Sequence, residues 1–412
     1  MARSARPRAF EAKRKSPQGR ADLRAAKQPD PEGTEGAAPK NNRLKNSMKR
    51  ILFVALHRPN RSPSQRFRYE QYLDFLEEHG YAYELSYLIE AEDDPVFYGA
   101  GQYLGKMKVL LKSIWRLWRA SGAWAKQFDV IYVQREAFML GTSFFERRFA
   151  KRAPLVFDFD DSIWLQNVST NNKALGFLKN ANKTAELIAL ADMVFAGNRY
   201  LADYARQYND CVKVLPTTVD EQRHHPKFKP AKAADAAVCI GWTGSFSTVQ
   251  YFEQLLPVLR RLKEKYGDKI YFKLIGDANY SLPELDIRGV AWTEADEIEQ
   301  LVELDIGLMP LPTDEWTKGK CGLKGLQYMA LGLPAVMSAV GVNTEIIEQG
   351  VNGYLAHNEE EWFAQLSALI ESPELRAELG RAGRQRVLEE YAVVAQKERY
   401  LAFFDELVAK KK

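Results

Sequence analysis

Short, largely apolar segments alternate along this chain with amphipathic helical segments, first in the amino-terminal half and again in the carboxyl-terminal half. Residues 51–56, 129–134 and 154–157 are such segments in the first half, and residues 305–310 are one in the second. A run of consecutive apolar residues is typical of a strand buried on both faces of a parallel sheet. The segments between them are long enough for helical crossovers. The pattern therefore predicts an α/β fold of two doubly wound, parallel-sheet domains.

The positive charge of the chain is concentrated before residue 48. Residues 1–47 contain 12 Lys/Arg and 5 Asp/Glu, a net charge of +7, whereas the whole chain of 412 residues carries +4, so residues 48–412 carry −3. This tail has almost no large apolar residues and is predicted to be disordered. It lacks the apolar core of a secretory signal. We interpret it as a solvated extension, and the alternative is a basic arm that binds nucleic acid or an anionic membrane.

Composition excludes several classes of protein. The chain has no run of 18 apolar residues, so no membrane-spanning helix is expected. Its three cysteines are odd in number and show no paired spacing, which favours a reducing compartment and a cytoplasmic protein. The five histidines show no metal-ligand spacing, so no bound metal is predicted.

The segment TKGKCGLKGLQYMALGLPAVMSAVG, residues 317–341, indicates a glycine-rich turn, a helix, a tight turn, a buried strand and a second glycine turn. A glycine turn that leads into a helix N-terminus presents free N–H groups and the positive end of the helix dipole to an anion. Lys320, Lys324 and Gln327 are spaced to share one helix face. Two ammonium groups and an amide suit a diphosphate with a hydroxylated group attached. The alternative is an ordinary amphipathic helix with two solvated lysines.

The segment QYMALGLPAVMSAVGVNTEIIEQGVNGYLA resembles the donor-binding signature of glycosyltransferase family 4, the retaining nucleotide-sugar enzymes of GT-B fold. The resemblance extends over about 350 residues, from KRILFVAL to the carboxyl terminus. It implies two Rossmann-like domains that face each other across a cleft. The chain departs from the family at the Glu-x7-Glu pair, because the first Glu aligns with Gly319 and the second with Gln327. The resemblance implies that Gln327 binds the ribose, as the aligned Glu does in relatives.

We predict four segments. Residues 1–47 form the disordered basic tail, and residues 48–225 form the acceptor-side domain. Residues 226–391 form the donor domain, which opens with a linker at residues 226–234 that is rich in proline and lysine. The resemblance implies that a last helix, residues 392–412, crosses back to complete the first domain.

Candidate donor-binding residues lie in the second half of the chain. The turn after strand 238–243 offers N–H and hydroxyl donors to phosphate from Gly244, Ser245 and Thr248. Most family members carry an Arg and a Lys in this turn, where Trp242 and Ser247 stand here, and we infer that Lys320 and Lys324 replace those charges. Trp316 is predicted to pack on the sugar ring or base, and the helix that begins at Gly341 and Asn343 is predicted to meet the sugar or its phosphate. Asp314 is a catalytic candidate, as a carboxylate in place of the missing first Glu.

Candidate residues of the first domain follow its strands. The run DFDDSIW places Asp158, Asp160 and Asp161 at the carboxyl end of a strand, where parallel sheets bind ligands. In the family a histidine often stands where Asp160 aligns, so Asp160 and Asp161 are catalytic candidates. A divalent cation is the alternative use of such carboxylates, although enzymes of this fold mostly lack one. Arg66 and Arg68 are assigned to the acceptor side, and the alternative is that they cap a helix.

Residues 105–128 contain no acidic residue and place Lys108, Lys112, Arg116 and Arg119 on one side of a predicted helix. Two interpretations stay open. The apolar side covers the sheet while the lysines are solvated, or the helix lies on an anionic bilayer. The second interpretation implies peripheral contact with the inner face of the plasma membrane.

The resemblance therefore implies a retaining glycosyltransferase that moves a sugar from a nucleotide-diphosphate sugar to a glycan or lipid-linked acceptor in cell-envelope polysaccharide synthesis. No cofactor beyond the donor and no specific nucleic acid are expected. The alternatives are a binding or regulatory protein of this fold that has lost its chemistry, a sugar-nucleotide epimerase, and a nucleic-acid binder that works through the tail. The donor base, the sugar and the acceptor are not specified by the sequence.

Overall fold

The structure is a computed structural model that describes residues 48–99, 101–165, 180, 182–228 and 236–410. The predicted disorder of residues 1–47 lies outside these residues, as do residues 229–234 of the predicted linker and residues 411–412 of the predicted last helix. The description below concerns the unit that begins at Met48.

The first sheet has six parallel strands in the order β2-β1-β3-β4-β5-β6. Every residue of β3, β4 and β5 is buried, because helices cover both faces of the sheet. The strands are β1 (Lys49–His57), β2 (Tyr81–Ile89), β3 (Val130–Gln134), β4 (Leu155–Phe159), β5 (Met193–Ala196) and β6 (Val212–Val214). The helices are α1 (Pro63–Arg68), α2 (Leu73–Glu78), α3 (Asp94–Tyr98), α4 (Tyr103–Ala120), α5 (Phe144–Ala150), α6 (Lys183–Leu190) and α7 (Arg199–Ala205).

The second sheet has seven strands in the order β13-β12-β11-β7-β8-β10-β9, and only the β9–β10 pairing is antiparallel. Its strands are β7 (Val238–Thr243), β8 (Ile270–Ile275), β9 (Ser281–Leu282), β10 (Ile287–Val290), β11 (Ile306–Met309), β12 (Ala335–Ser338) and β13 (Tyr354–Ala356). The helices are α8 (Val249–Glu253), α9 (Leu256–Tyr266), α10 (Glu297–Val302), α11 (Glu315–Lys318), α12 (Leu323–Ala330), α13 (Asn343–Ile346), α14 (Glu359–Glu371), α15 (Pro373–Arg386) and α16 (Val393–Lys410).

The last helix, α16, returns to the first sheet. Its Tyr400 and Phe404 are fully buried in the core that contains Ile51 of β1 and Tyr132 of β3. Tyr400 stacks on Tyr72, with ring centroids 4.3 Å apart. We call the sheet of β1–β6 with its helices and α16 the first lobe, and the sheet of β7–β13 with its helices the second lobe.

The predicted fold class is confirmed, because the chain forms two sheets of parallel strands covered by helices. Strand β2 was not among the predicted strands, because its sequence, YAYELSYLI, alternates polar and apolar residues at the edge of the sheet. The helix expected before Gly80 is divided into α1, a single 3₁₀ turn and α2.

Helix α4 occupies most of the predicted basic segment. The first interpretation expected its apolar side to cover the sheet, and only part of that side does so. Val109 and Leu117 are buried against the first sheet, together with Ser113 and Ala120. Leu110 also packs against this core, whereas Met107, Leu111, Ile114 and Trp118 of the same apolar side are exposed. The physical reason is that the apolar residues of this helix spread over a wider arc than the sheet can cover.

Candidate active site

A cavity of about 440 Å³ lies between the lobes, at the carboxyl ends of the parallel strands. Arg135, Asp160, Gly244 and Gly276 line it, and they directly follow β3, β4, β7 and β8. Ligands of open α/β sheets bind at this edge. We call this space the central cavity. The sequence-predicted residues in its wall are Asp160, Asp161, Gly244, Ser245, Thr248, Lys320, Lys324 and Gln327.

The two aspartates of the first lobe are held by cations from both lobes. Arg135 Nε donates to Asp160 Oδ1 over 2.8 Å and its Nη2 pairs with Asp161. Lys320, from the second lobe, donates to Asp161 Oδ1 over 2.7 Å. The Ser64 hydroxyl donates to Asp160 Oδ2 over 2.6 Å. These carboxylates are therefore neutralised by neighbours and bridge the lobes at the cavity wall.

Arg135 has a backbone φ of +62°, which is uncommon for a residue with a long side chain. Such conformations cost energy and persist where surrounding contacts impose them. Burial acts to raise the pKa of Asp160, but Arg135 and Ser64 outweigh it, and the net pKa lies below the ordinary value. Asp160 is therefore an ionised acceptor of hydrogen bonds and not a proton donor.

The two predicted lysines differ in how their charges are compensated. Lys320 pairs with Asp161 and lies 5.1 Å from the ring centroid of Trp316. Among the residues that the structure describes, no carboxylate lies within ion-pair distance of Lys324, whose ammonium group lies 5.3 Å from the Trp242 ring centroid. Burial, followed by the charge of Lys320, lowers the pKa of Lys324 to about 8. A buried cation without a counter-charge is electrostatically suited to receive an anion.

Two glycine turns of the second lobe, at Gly244 and Gly276, meet in the wall of the central cavity. The Gly244 N–H donates to the carbonyl of Ile275 over 2.9 Å. Gly276 has a φ of +132°, and a Cβ there would overlap the carbonyl oxygen of Gly244. Ser245 and Thr248 form a capping box at the following turn. Glycine is thus required for the close approach of the two turns, which bring main chain to the cavity.

The N-terminus of α12 also reaches the cavity. Gly322 precedes it with a φ of +71°, and Gly322, Leu323 and Lys324 line the wall. The first N–H groups of a helix carry partial positive charge. The cavity wall thus combines a helix N-terminus with two ammonium groups.

Gln327 is buried beside a carboxylate that was not among the predicted residues. Its Nε2 donates to Glu297 Oε1 over 3.2 Å. Arg66, from the first lobe, donates to Glu297 Oε2 over 2.6 Å, and the Trp292 indole donates to Oε1 over 3.2 Å. Burial acts to raise the pKa of Glu297, but the hydrogen bond and charge of Arg66 lower it on balance. An ionised carboxylate therefore lies next to Gln327 in the cavity wall.

The predicted acceptor-side role of Arg66 and Arg68 requires correction. Arg68 is completely buried and pairs with Asp158, which is also completely buried, so neither faces the cavity. Arg66 is buried against Glu297 and joins the two lobes. Both side chains lie on the inner face of α1, and their charges are used in structural ion pairs.

The predicted roles of Asp314 and Trp316 also require correction. Asp314 is exposed and caps α11, where its carboxylate accepts from the Thr317 N–H over 2.7 Å. It does not line the central cavity. Trp316 lines a neighbouring cavity of the first lobe.

The first N–H groups of α13, which begins at Asn343 just after Gly341, are used within the turn. The N–H groups of Asn343 and Thr344 donate to Val340 and Gly341, each over 3.2 Å. Asn343 is fully buried, and its amide donates to the carbonyl of Ser338 over 3.0 Å. These residues stabilise the turn after β12 and do not line the central cavity.

The neighbouring cavity, of about 250 Å³, lies mainly in the first lobe, and we call it the lateral cavity. Arg135 lines both cavities. Trp316 is the residue of the second lobe in its described wall, and Trp164 contributes a second indole. Tyr204 stacks on Trp164 with ring centroids 3.8 Å apart, which holds that ring in place.

Arg135 and Glu297 are site residues that sequence reasoning missed. Arg135 follows the apolar strand VIYVQ directly, and a charged residue at the end of a parallel strand is a usable signal. Glu297 lies in ADEIEQ, where several acidic residues begin a helix, and no local feature separates it from the others. Within the described parts of the chain, no three His, Cys, Asp or Glu side chains are grouped as a metal site.

Comparison with known proteins finds a family match in the second lobe. Residues 237–372 match the family described as Glycosyl transferases group 1. Spore coat protein SA of Bacillus subtilis (strain 168) is 37% identical over 85 residues. That alignment covers 18% of this chain and 22% of that protein, so the chain matches about a fifth of this curated relative.

Solved structures match along most of the chain. Sucrose-phosphate synthase from Thermosynechococcus elongatus has a TM-score of 0.67 and 13% identity, with 88% of this chain and 100% of that chain covered. HepE of Anabaena in complex with UDP and glucose has a TM-score of 0.58 and 16% identity, with 87% and 100% covered. These are GT-B glycosyltransferase structures, and at this identity they establish the fold. Together with the family match, they support a glycosyltransferase.

Proposed function

We propose that the protein transfers a sugar from a nucleotide-diphosphate sugar to a glycan or lipid-linked acceptor, with retention of the anomeric configuration. One observation carries the proposal: the central cavity combines Lys320, Lys324 and the N-terminus of α12 on the second lobe. The matched family and two neighbours support the donor class, because HepE was solved with UDP-glucose and TarM of S. aureus with UDP.

The diphosphate would lie against the second lobe. Lys324 offers an uncompensated charge, and the turns at Gly244 and Gly276 allow close approach of main chain. A fixed cation in a largely buried site stabilises the charge that develops on a departing diphosphate more strongly than it would in water. Gln327 would bind the ribose, with Glu297 beside it to supply the carboxylate that the signature position lacks.

The sugar would face the first lobe. In the transfer step, the bond between the anomeric carbon and the diphosphate oxygen breaks and its electron pair leaves with the nucleoside diphosphate. The acceptor oxygen forms the new bond on the same face, and its proton passes to the departing phosphate oxygen. Asp160 and Asp161 would hold sugar hydroxyls, because both carboxylates lie in the wall of the central cavity, where Arg135 positions them. Charge stabilisation is thus assigned to the second lobe and orientation of the sugar to the first.

The donor assignment is tested by a thermal-shift panel of UDP-, GDP- and ADP-sugars, since a ligand that binds the folded state raises the melting temperature by mass action. We expect one base to give the largest shift, and Lys320→Ala and Lys324→Ala to reduce it. Lys318→Ala is the matched control, because Lys318 is near in sequence and pairs with Glu315 outside the central cavity. The absence of a shift with every nucleotide sugar would refute the proposal.

An assay of nucleoside diphosphate release, run with the same nucleotide sugars, separates the enzyme from a binding protein that has lost its chemistry. The lack of both signature glutamates, at Gly319 and Gln327, favours this second candidate. Release of free nucleoside diphosphate in the presence of acceptors identifies the enzyme. Donor binding without any turnover identifies the binding protein.

We also infer that the protein works at an anionic membrane surface in cell-envelope glycan synthesis. The observation is the outer face of α4, a continuous apolar stripe with each residue more than half exposed: Tyr103, Leu104, Met107, Leu111, Trp115 and Trp118. Lys108 and Arg119 are exposed beside it. Exposed apolar area of this kind marks an interaction surface, and basic residues next to tryptophans favour anionic lipid.

No helix in the described parts of the chain is both long and apolar enough to cross a membrane. The membrane proposal is tested by sedimentation with phosphatidylcholine vesicles that contain or lack phosphatidylglycerol. Leu111→Gln with Trp115→Gln should abolish binding to the anionic vesicles, and Lys108→Glu should weaken it. Equal binding by the double variant, or no preference for phosphatidylglycerol, would contradict membrane docking.

A further inference from the structure

The lateral cavity lies directly beside the central cavity. Arg135 lines both, and Trp316 projects into the lateral cavity while Lys320, four residues further on, lines the central one. The Lys320 ammonium group lies 5.1 Å from the Trp316 ring centroid. A group held in the lateral cavity is therefore one side chain away from a donor bound in the central cavity, which is where an acceptor must lie.

The charged side chains in the described wall of the lateral cavity are all compensated. Arg135 pairs with Asp160 and Asp161. Lys183 donates to Glu136 Oε2 over 2.8 Å and to the carbonyl oxygen of Leu140 over 2.9 Å. No free cation is left in that wall to pair with an anionic ligand.

His57 does not supply such a cation either. Burial, followed by the charge of Arg61, lowers the pKa of His57 to about 4, so the ring is neutral near pH 7. Against the wall formed by the described residues, an acceptor phosphate would lose its water next to Glu136 and meet no unpaired cation, which is unfavourable.

The rest of the wall suits a neutral hydroxylated ring. Indoles of Trp164 and Trp316 offer flat apolar faces, and uncharged polar side chains surround them. A volume of about 250 Å³ lies just below the usual range of roughly 300–1,000 Å³ for ligand pockets, so it fits a single ring-sized group. The uncharged polar residues are Ser62, Gln65, Gln134, Asn180 and Thr184.

We propose that the lateral cavity binds the terminal, uncharged sugar of the acceptor, so that the nucleophile is a sugar hydroxyl and not a phosphate oxygen. The protein then extends an existing glycan, and a separate enzyme must attach the first sugar to any lipid phosphate. This inference rests on the proposed glycosyltransferase function and specifies its acceptor.

The test uses the full-length protein with the nucleotide sugar that gives the largest thermal shift. Neutral octyl glycosides and octyl phosphate are compared as acceptors by nucleoside diphosphate release, and the products are weighed by mass spectrometry. We expect transfer to at least one glycoside and none to octyl phosphate. Faster transfer to octyl phosphate, or no binding and no transfer with any glycoside, overturns the inference.

Two substitutions test whether the acceptor binds in the lateral cavity. Trp316→Ala removes an indole and Met139→Trp fills the cavity from a half-buried position. Each should raise the acceptor KM by about tenfold, a change expected for loss of one aromatic contact, while the donor thermal shift stays unchanged. Lys318→Ala should alter neither quantity. Unchanged acceptor KM in both variants also overturns the inference, whereas a missing donor shift in the unmodified protein refutes the proposed function itself.

Discussion

The two lobes follow one plan, a parallel sheet with its carboxyl edge at the cleft, but they differ in how charges at that edge are compensated. In the first lobe Arg68 pairs with Asp158 and Arg135 pairs with Asp160, both within the lobe. In the second lobe Lys324 has no carboxylate within ion-pair distance among the described residues, and the partner of Lys320 belongs to the first lobe. The comparison indicates that the buried pair of Arg68 and Asp158 holds the fold, whereas the charge of Lys324 is available to a ligand.

The largest effect is expected where a first-lobe pair is broken. Arg68→Met leaves Asp158 buried without its partner, which should lower the free energy of unfolding by about 3–5 kcal/mol. Urea denaturation checks this value. Adding Asp158→Asn should recover part of the loss. A loss for Arg68→Met as small as that of a surface pair would contradict the structural role assigned to first-lobe charges.

A substitution of Lys324 in the second lobe is expected to preserve stability and to weaken ligand binding. Lys324→Met removes a buried charge that has no counter-ion, so the melting temperature without ligand should stay constant or rise. Nucleoside diphosphate binding should weaken by about 10- to 100-fold, the value of a charge-assisted hydrogen bond. Calorimetry measures the affinity, and thermal melts measure the stability of the unliganded variant. A destabilised Lys324→Met variant with unchanged affinity would show that Lys324 stabilises the fold and does not bind the ligand.

The pH dependence of nucleoside diphosphate binding tests whether the charge of Lys324 is available to the ligand. Lys324, with a pKa of about 8 in the free protein, is charged below that pH, so affinity for nucleoside diphosphate should be constant there. Above it the free protein loses the charge, binding must take up a proton, and affinity should fall by up to about tenfold per pH unit. In Lys324→Arg the decline should disappear, because arginine stays protonated. Calorimetric titrations across the neutral and alkaline range measure it, and a flat profile in the unmodified protein would refute it.

The smallest effect is expected at the contact between the lobes. Asp161→Asn removes the carboxylate that competes for Lys320, so nucleoside diphosphate should bind about 2- to 10-fold more tightly. Sugar transfer should decrease, because Asp161 is assigned to the sugar. Weaker diphosphate binding in this variant would show that Asp161 positions Lys320 and does not compete with the ligand.

The local sequence pattern was sufficient to predict the elements whose structure depends only on neighbouring residues. The apolar run of β1 and the segment of α12 between Gly322 and Gly332 fold as predicted, because continuous apolar runs are buried in parallel sheets and glycine permits the positive φ of both turns. Lys320, Lys324 and Gln327 line the central cavity, while their roles in donor binding stay predictions.

Helix α4 shows where pattern becomes ambiguous. Leu117 is buried and Trp118, the next residue, is exposed, although both are large and apolar. Periodicity identifies the helix, but it does not decide which part of a wide apolar arc meets the sheet.

The sequence by itself determined that this chain builds two parallel sheets with a glycine-flanked, lysine-bearing helix at one edge, because these features depend on neighbours a few residues apart. Only the tertiary structure decided which charges share the cleft. Arg66 and Glu297 are 231 residues apart, and Lys320 and Asp161 are 159 apart. Their pairing depends on how the two lobes pack, and buried charges must find partners wherever that packing brings them together.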